Sequence, residues 1–317
     1  MKFGLEKVWI SPEHAFWFRY TILDGKEKEA STWAILFNGD KIWTGKNNYP
    51  LEDLPPAQSI ILPPARDMMR YHQHPQVFHL GENHLDTHNA LGTAGDMYWD
   101  LRWTNSGHRF THGPEWIHSL KFAKSRYDVC MMDLKFSGSV NYPSHGRPQT
   151  LPFHQASGMI GHIYGTKQAD SWAWVHCNVF EKAPHAVFEG LSGILSVVSK
   201  KHLHSHHFIF LMGKQNMNFD PQKFFFHFSR WDGQEWHFEA KQNGGTLTGV
   251  AFLSRQNALV EYTDTDGSKL WCTNSKLSSL NIRLQDPKRK IDQEFKATQS
   301  AAFEMVSREK PKRRCDL

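Results

Sequence analysis

Read as apolar and polar positions, the chain is a succession of short alternating runs separated by turn sequences. Residues 16–23 and 31–38 are aromatic-rich runs on either side of Asp24-Gly25-Lys26, and Asn38-Gly39-Asp40 turns the chain into residues 41–44. The segment 49–64 is too rich in proline to pair well in a sheet, and 66–95 reads as a long loop with irregular strands. Order returns at 97–104, where Met97, Trp99, Leu101 and Trp103 alternate with Tyr98, Asp100, Arg102 and Thr104. Residues 128–141 read as a strand pair or one bent strand. Pro143, Gly146, Pro148 and Pro152 make 142–152 the expected interdomain linker. Further runs follow at 186–197, 207–212, 224–228, 236–240, 246–253, 258–263 and 269–284, with turns at Asp232-Gly233, Asn243-Gly244-Gly245 and Asp266-Gly267. Strands at this spacing, with no long segment of helical period, predict an all-β sandwich or barrel.

One stretch is more specific than the rest. In residues 158–180, GMIGHIYGTKQADSWAWVHCNVF, glycines space the first half into turns and the second half alternates strictly. Ser171, Ala173, Val175, Cys177 and Val179 share one side of a strand, small and apolar as a core face should be. Trp172, Trp174, His176, Asn178 and Phe180 share the other, which is expected to line a cavity.

Composition narrows the picture. The 317 residues are enough for two ordinary domains or one large all-β domain. Aromatics form 13% of the chain, suited to a barrel filled by large rings. The formal net charge of +5 is modest, and much of it sits in Lys310, Lys312, Arg313 and Arg314, so nucleic acid is not an expected partner. The four cysteines form no C-x-x-C pair, and neither a signal peptide nor a membrane span is legible; a cytoplasmic protein is expected, with peripheral membrane contact compatible with an apolar ligand.

The aromatic-Gly pair Tyr164-Gly165, a short polar loop and then W-x-W-x-x-C-N-x-F, Trp172 to Phe180, resemble the central motif of the tocopherol cyclase-like proteins, relatives of the carotenoid 1,2-hydratases in a lipocalin-like, or calycin, group. Tyr98-Trp99-Asp100-Leu101 and Ala301-Ala302-Phe303-Glu304 resemble two further strands of that family, the latter its last. The resemblance implies two lipocalin-like antiparallel β-barrels in tandem, assigned to residues 1–150 and 151–317. It also implies a cavity for a lipophilic, isoprenoid-like small molecule, no cofactor, and acid/base-assisted cyclisation or hydration. The alternative is a carrier or sensor on the same fold without catalysis.

Protonating an alkene or an electron-rich ring requires an acid in a dry pocket and aromatic faces to stabilise the cation. Trp99, Tyr164, Trp172 and Trp174 could supply the rings; His162, Tyr164, His176, Asp100 and Asp170 are the candidate acids. His162 stands where the hydratase-type motif carries a histidine, and with Asp170 it forms the expected catalytic pair. Trp99, Asp100, Tyr164, Trp172, Trp174, His176 and Asn178 are expected to contact substrate. Gly161 stands where that motif carries an aspartate, so the acid is missing or supplied from elsewhere. Among the 20 histidines, His202, His204 and His206 alternate, and His72 and His74 form a second pair. Such a triad could hold zinc. The polarity of KKHLHSHH instead suits a solvated surface run, and no metal is expected. No dinucleotide, Walker or nucleophile-elbow motif is present.

Overall fold

A computed structural model describes residues 2–51, 78–86, 88–105, 108–113, 124–144, 146–196, 202–213, 215–220 and 226–311. Among them the regular structure is β, in two compact units: residues 1–111 with 115–166, and residues 112–114 with 167–317.

The first unit contains β1 (Lys2–Ser11), β2 (His14–Asp24), β3 (Lys28–Asn38), β4 (Lys41–Tyr49), β5 (Phe78–Leu80), β6 (Asn83–Leu85), β7 (Asn89–Ala94), β8 (Met97–Asn105), β9 (Phe110–Thr111), β10 (Ser125–Ser144) and β11 (Arg147–Gly165). They form one antiparallel sheet in the order β4-β3-β2-β1-β11-β10-β8-β7-β6-β5, with β9 beside β10. The sheet curls until β3 and β4 meet β7. Thr32 Oγ1 donates to the Thr93 carbonyl, the Gly95 amide donates to Asn47 Oδ1 at 2.9 Å, and Gly45 lets the backbone of Ala94 approach where a Cβ would collide. Phe16, Phe18, Tyr20, Leu36, Trp99, Leu101 and Phe136 fill the interior.

The second unit contains β12 (Ser171–Cys177), β13 (Ala186–Ser196), β14 (His202–Met212), β15 (Gln215–Phe219), β16 (His227–Trp231), β17 (Glu235–Gln242), β18 (Gly245–Phe252), β19 (Ala258–Thr263), β20 (Lys269–Asp286) and β21 (Ile291–Ser307). Its order, β15-β14-β13-β12-β21-β20-β18-β17-β16 with β19 beside β20, repeats that of the first unit without a counterpart of the edge strand β5. In each, four strands run as a meander and the last strand of the unit pairs with the first, β11 with β1 and β21 with β12. The interior is again aromatic, with Phe188, Phe208, Phe210, Trp236, Phe238, Phe295 and Phe303 buried together.

Three expectations are corrected. The proline-rich segment 142–152 is the tip of the β10–β11 hairpin, where Pro143 pairs with Pro148. Prolines fit there because β1 pairs with β11 only from Ser157 onward, so the tip is edge-like and leaves donor positions without a second neighbour. The boundary drawn at 150/151 therefore falls inside this hairpin, and the two units divide between residues 166 and 167. The glycine-spaced half of the central stretch is strand, not turns, since Gly158 and Gly161 lie within β11. Residues 78–94, expected as part of a long loop with irregular strands, carry three short strands; residues 66–77 lie outside the described residues. No helix of the described residues is long and apolar enough to cross a membrane.

Candidate functional site

Strand β12 sorts its side chains as the alternation predicts. Ala173, Val175 and Cys177 are fully buried in the aromatic core of the second unit. Trp174 and His176 lie on the opposite face and are equally buried, at 2% and 0% exposure. Phe180 breaks the pattern. The strand ends at Cys177, and Phe180 turns back into the core against Phe210 and Phe295.

The face carrying Trp174 and His176 is not an apolar wall. Pairing sets His176 opposite Glu189 on β13, and Trp174 opposite Glu304 on β21. The Trp174 indole N–H donates to Glu189 Oε1 at 2.5 Å. His112 Nε2 lies 3.2 Å from the same oxygen, and His176 Nδ1 lies 3.5 Å from Glu189 Oε2. Glu189 is fully buried, so its carboxylate gathers an indole and two imidazoles away from water. On the other side of the indole, Lys276 Nζ stands 5.1 Å from the ring centroid and 2.6 Å from Glu304 Oε1, a buried ion pair against an aromatic face.

His112 reaches this face because its loop is pinned from β14. The Gly113 amide donates to His207 Nδ1 at 3.0 Å, and His207 Nε2 lies 2.8 Å from Asn218 Oδ1. An Nδ1 that accepts and an Nε2–H that donates fix His207 as the neutral tautomer. Burial holds its pKa down to about 4, the Asn218 hydrogen bond opposing the shift. Burial, and secondarily His207, hold the His112 imidazole well below its ordinary 6.5. His112 is therefore neutral at pH 7; its Nε2–H is directed at Glu189, and Nδ1 is the basic nitrogen. A neutral imidazole oriented by a buried carboxylate, beside an indole, can take a proton from a hydroxyl and return it.

The other expected residues are divided. Asp170 precedes β12, and its carboxylate is ion-paired with Arg308 at 3.1 Å; the same guanidinium binds Asp264 at 2.8 Å and ties the end of β21 to the loop before β12. Trp172 is half-buried on the Trp174 face, and Asn178 is buried just beyond the strand. His202, His204 and His206 all lie on β14, and the run is solvated only in part, since His204 is exposed whereas His206 and His207 are buried. His206 is buried and bonded to Ser192 Oγ at 2.9 Å, because the even positions of β14 face the same side as Phe208 and Phe210. No group of three His, Cys, Asp or Glu among the described residues is arranged to hold a metal ion. His72 and His74 lie outside them.

Trp99, Asp100, His162 and Tyr164 belong to the first unit. Trp99 is fully buried among Phe16, Phe18 and Tyr20, its indole N–H donating to the Tyr20 hydroxyl at 3.2 Å. Asp100 points to the opposite side of β8 and is half-buried. His162 and Tyr164 lie on β11 with ring centroids 5.2 Å apart. Beside them Asp128 accepts from Arg126 Nε at 2.9 Å; burial first, then the Asp128 charge, push the Tyr164 hydroxyl well above its usual range. Gly161 has no space for the aspartate of the hydratase-type motif, since an added Cβ would lie 2.7 Å from the Tyr127 ring. A polar surface groove lined by Lys28, Glu29, Asn48, Tyr49, Pro50 and Leu51 contains none of the expected residues.

The profile of the family described as tocopherol cyclase-like matches residues 96–306, more than half of the sequence. The chain belongs to the tocopherol cyclase-like family. Its fold recurs in a putative AttH from Nitrosomonas europaea, at 10% identity over 96% of this chain and 92% of that one, with a TM-score of 0.52. Kievitone hydratase from Nectria haematococca is similar at 8% identity, covering 96% and 88%, with a TM-score of 0.52. CghA, solved with Sch210972, is similar at 9% identity, covering 96% and 86%, with a TM-score of 0.59. At these identities the likeness shows a shared fold. No curated protein matches the sequence. In this tocopherol cyclase-like chain the family match covers Glu189, His112 and His207, none of which the sequence reading singled out.

Proposed function

We propose that this protein catalyses the addition of an O–H group across a carbon–carbon double bond of a lipophilic, isoprenoid-like molecule, either within one molecule as a cyclisation or from water as a hydration. The family and a neighbour named as a hydratase support the reaction class. The observation that carries the reading is the pairing of His112 with the buried Glu189 beside the Trp174 indole.

The chemistry needs no redox partner. The O–H bond breaks, a C–O and a C–H bond form, and the proton lost by oxygen can return to carbon. A neutral His112 held by Glu189 is suited to take that proton at Nδ1 and deliver it, while Glu189 stabilises the imidazolium that exists between the two transfers. The Trp174 face lies where positive charge on carbon could be shared with an aromatic ring. The imidazolium formed when His112 takes the hydroxyl proton delivers it to the alkene carbon, and the oxygen closes on the carbocation. The proton donor to carbon is therefore an imidazolium and not a carboxylic acid.

The test is to incubate the purified chain with phenols that carry a prenyl side chain and to follow them by chromatography and mass spectrometry. A product of unchanged mass with the double bond consumed, or one heavier by a single water, is expected. Tight binding with the phenol recovered unaltered would overturn catalysis and establish the carrier.

A further inference from the structure

Trp174 donates to the farther of two buried carboxylates. Glu304 on β21 is its direct partner across the β12–β21 pair. On β13 its direct partner is Leu191, and Glu189 sits two residues along, opposite His176. Direct antiparallel partners hold their Cβ atoms about 5 Å apart and diagonal ones up to about 7–8 Å, so Glu304 is the nearer acceptor. An indole has one N–H to give, and here it goes to Glu189. Glu304 and Glu189 are both buried, so neither carboxylate can turn to water for a replacement donor.

Lys276 accounts for the choice. Its ammonium, carried by β20 and fully buried, lies 2.6 Å from Glu304 Oε1 and 5.1 Å from the centroid of the Trp174 ring. The Cys272 thiol stands 3.8 Å from Glu304 Oε2, while the Asn274 amide, directly opposite Glu304 on β20, bonds to neither oxygen. A charged donor holds a carboxylate roughly twice as strongly as a neutral one, so the ammonium keeps the indole off Glu304. The same charge on the π face resists rotation of the ring.

We infer that Lys276 is a positioning residue: by engaging Glu304 and capping the Trp174 ring, it commits the indole N–H to Glu189 and so holds Glu189 in place beside His112. The inference rests on the acid–base reading of His112 and Glu189 given above. Without the ammonium, Glu304 is a buried carboxylate that has lost its cation, and the indole directly across from it turns away from Glu189 to supply a donor.

Two variants of the full chain separate this role from a structural one. Lys276→Met and Glu304→Leu break the same buried pair, and each should lower the melting temperature. Only Lys276→Met leaves a competing carboxylate. It should cut kcat for a prenylated phenol by about tenfold to a hundredfold with KM unchanged, whereas Glu304→Leu should keep the wild-type kcat. The double variant Lys276→Met/Glu304→Leu replaces the pair by apolar groups, a change often neutral for stability, and should keep it too. Equal losses of kcat in the two single variants, or a double variant that folds and stays slow, would overturn the inference; the double variant decides if a single one fails to fold. The Trp174 Nε1–H proton resonance keeps the inference apart from the question of turnover. In wild type it should shift on Glu189→Gln and not on Glu304→Leu, and in Lys276→Met it should no longer respond to Glu189→Gln. If wild type converts no phenol, the acid–base reading fails and this resonance alone decides: a wild-type signal that follows Glu304 instead of Glu189 refutes the role of Lys276.

Discussion

Glu189 shows how a single buried residue can organise a site. Its carboxylate accepts from Trp174 and His112 and stands 3.5 Å from His176 Nδ1, so its loss removes an acceptor from two side chains and a neighbouring charge from a third. Replacing His112 with Ala should reduce conversion of a prenylated phenol by about a hundredfold to ten-thousandfold, the usual contribution of one acid–base group. Because His112 is held below its ordinary 6.5, its base form persists on mild acidification. Conversion should stay level from alkaline pH down to about 6.5 and fall only below that, as a pH–rate profile would show. Trp174 and His176 were legible in the sequence because alternation marks the faces of a strand. Glu189, His112 and His207 were not. Each is a lone polar residue whose partner lies on a different strand or loop, and only strand pairing reveals that.

Strand β11 illustrates what is legible at the level of an element. The turn-like glycines of residues 158–165 suggested loops, yet they serve close packing. The Tyr127 ring occupies the space beside Gly161. Introducing the family's aspartate there, Gly161→Asp, should destabilise the first unit by about 1–3 kcal/mol through overpacking and should not improve conversion. Thermal melting and the product assay check both halves of that expectation. The prolines at 142–152 misled in the same manner, since a proline-rich hairpin tip and a linker have the same composition; what separates them is whether neighbouring strands run alongside. The Trp-rich strand was legible from its alternation, whereas the final strand was legible only through the family resemblance, since Ser300 to Val306 are buried without a break and show no period of two.

Across the whole molecule, the all-β class and the tandem arrangement followed from strand spacing and from resemblance, and the repeated strand order of the two units is their structural counterpart. The repeat escaped sequence comparison because a barrel conserves pairing order and burial, both of which many sequences satisfy. The second unit also carries a pH dependence as a body. His206 and His207 are held by burial to about 4 in the folded chain. An unfolded chain binds those protons near 6.5, so the unfolded state holds more protons in between. Their stabilisation is present above about 6.5 and is lost as pH falls toward 4, by at most about 3 kcal/mol for each group. Denaturant melts at successive pH values should show that loss, and replacing His207 with Asn should flatten it.

The central claim is that Glu189 serves chemistry rather than binding. The most direct measurement takes one prenylated phenol and determines both its affinity and its rate of conversion in wild type and in Glu189→Gln. The account requires conversion to fall by about a hundredfold or more while affinity is unchanged. Equal conversion by the two proteins, or a loss of affinity that accounts for the whole loss of rate, would contradict it.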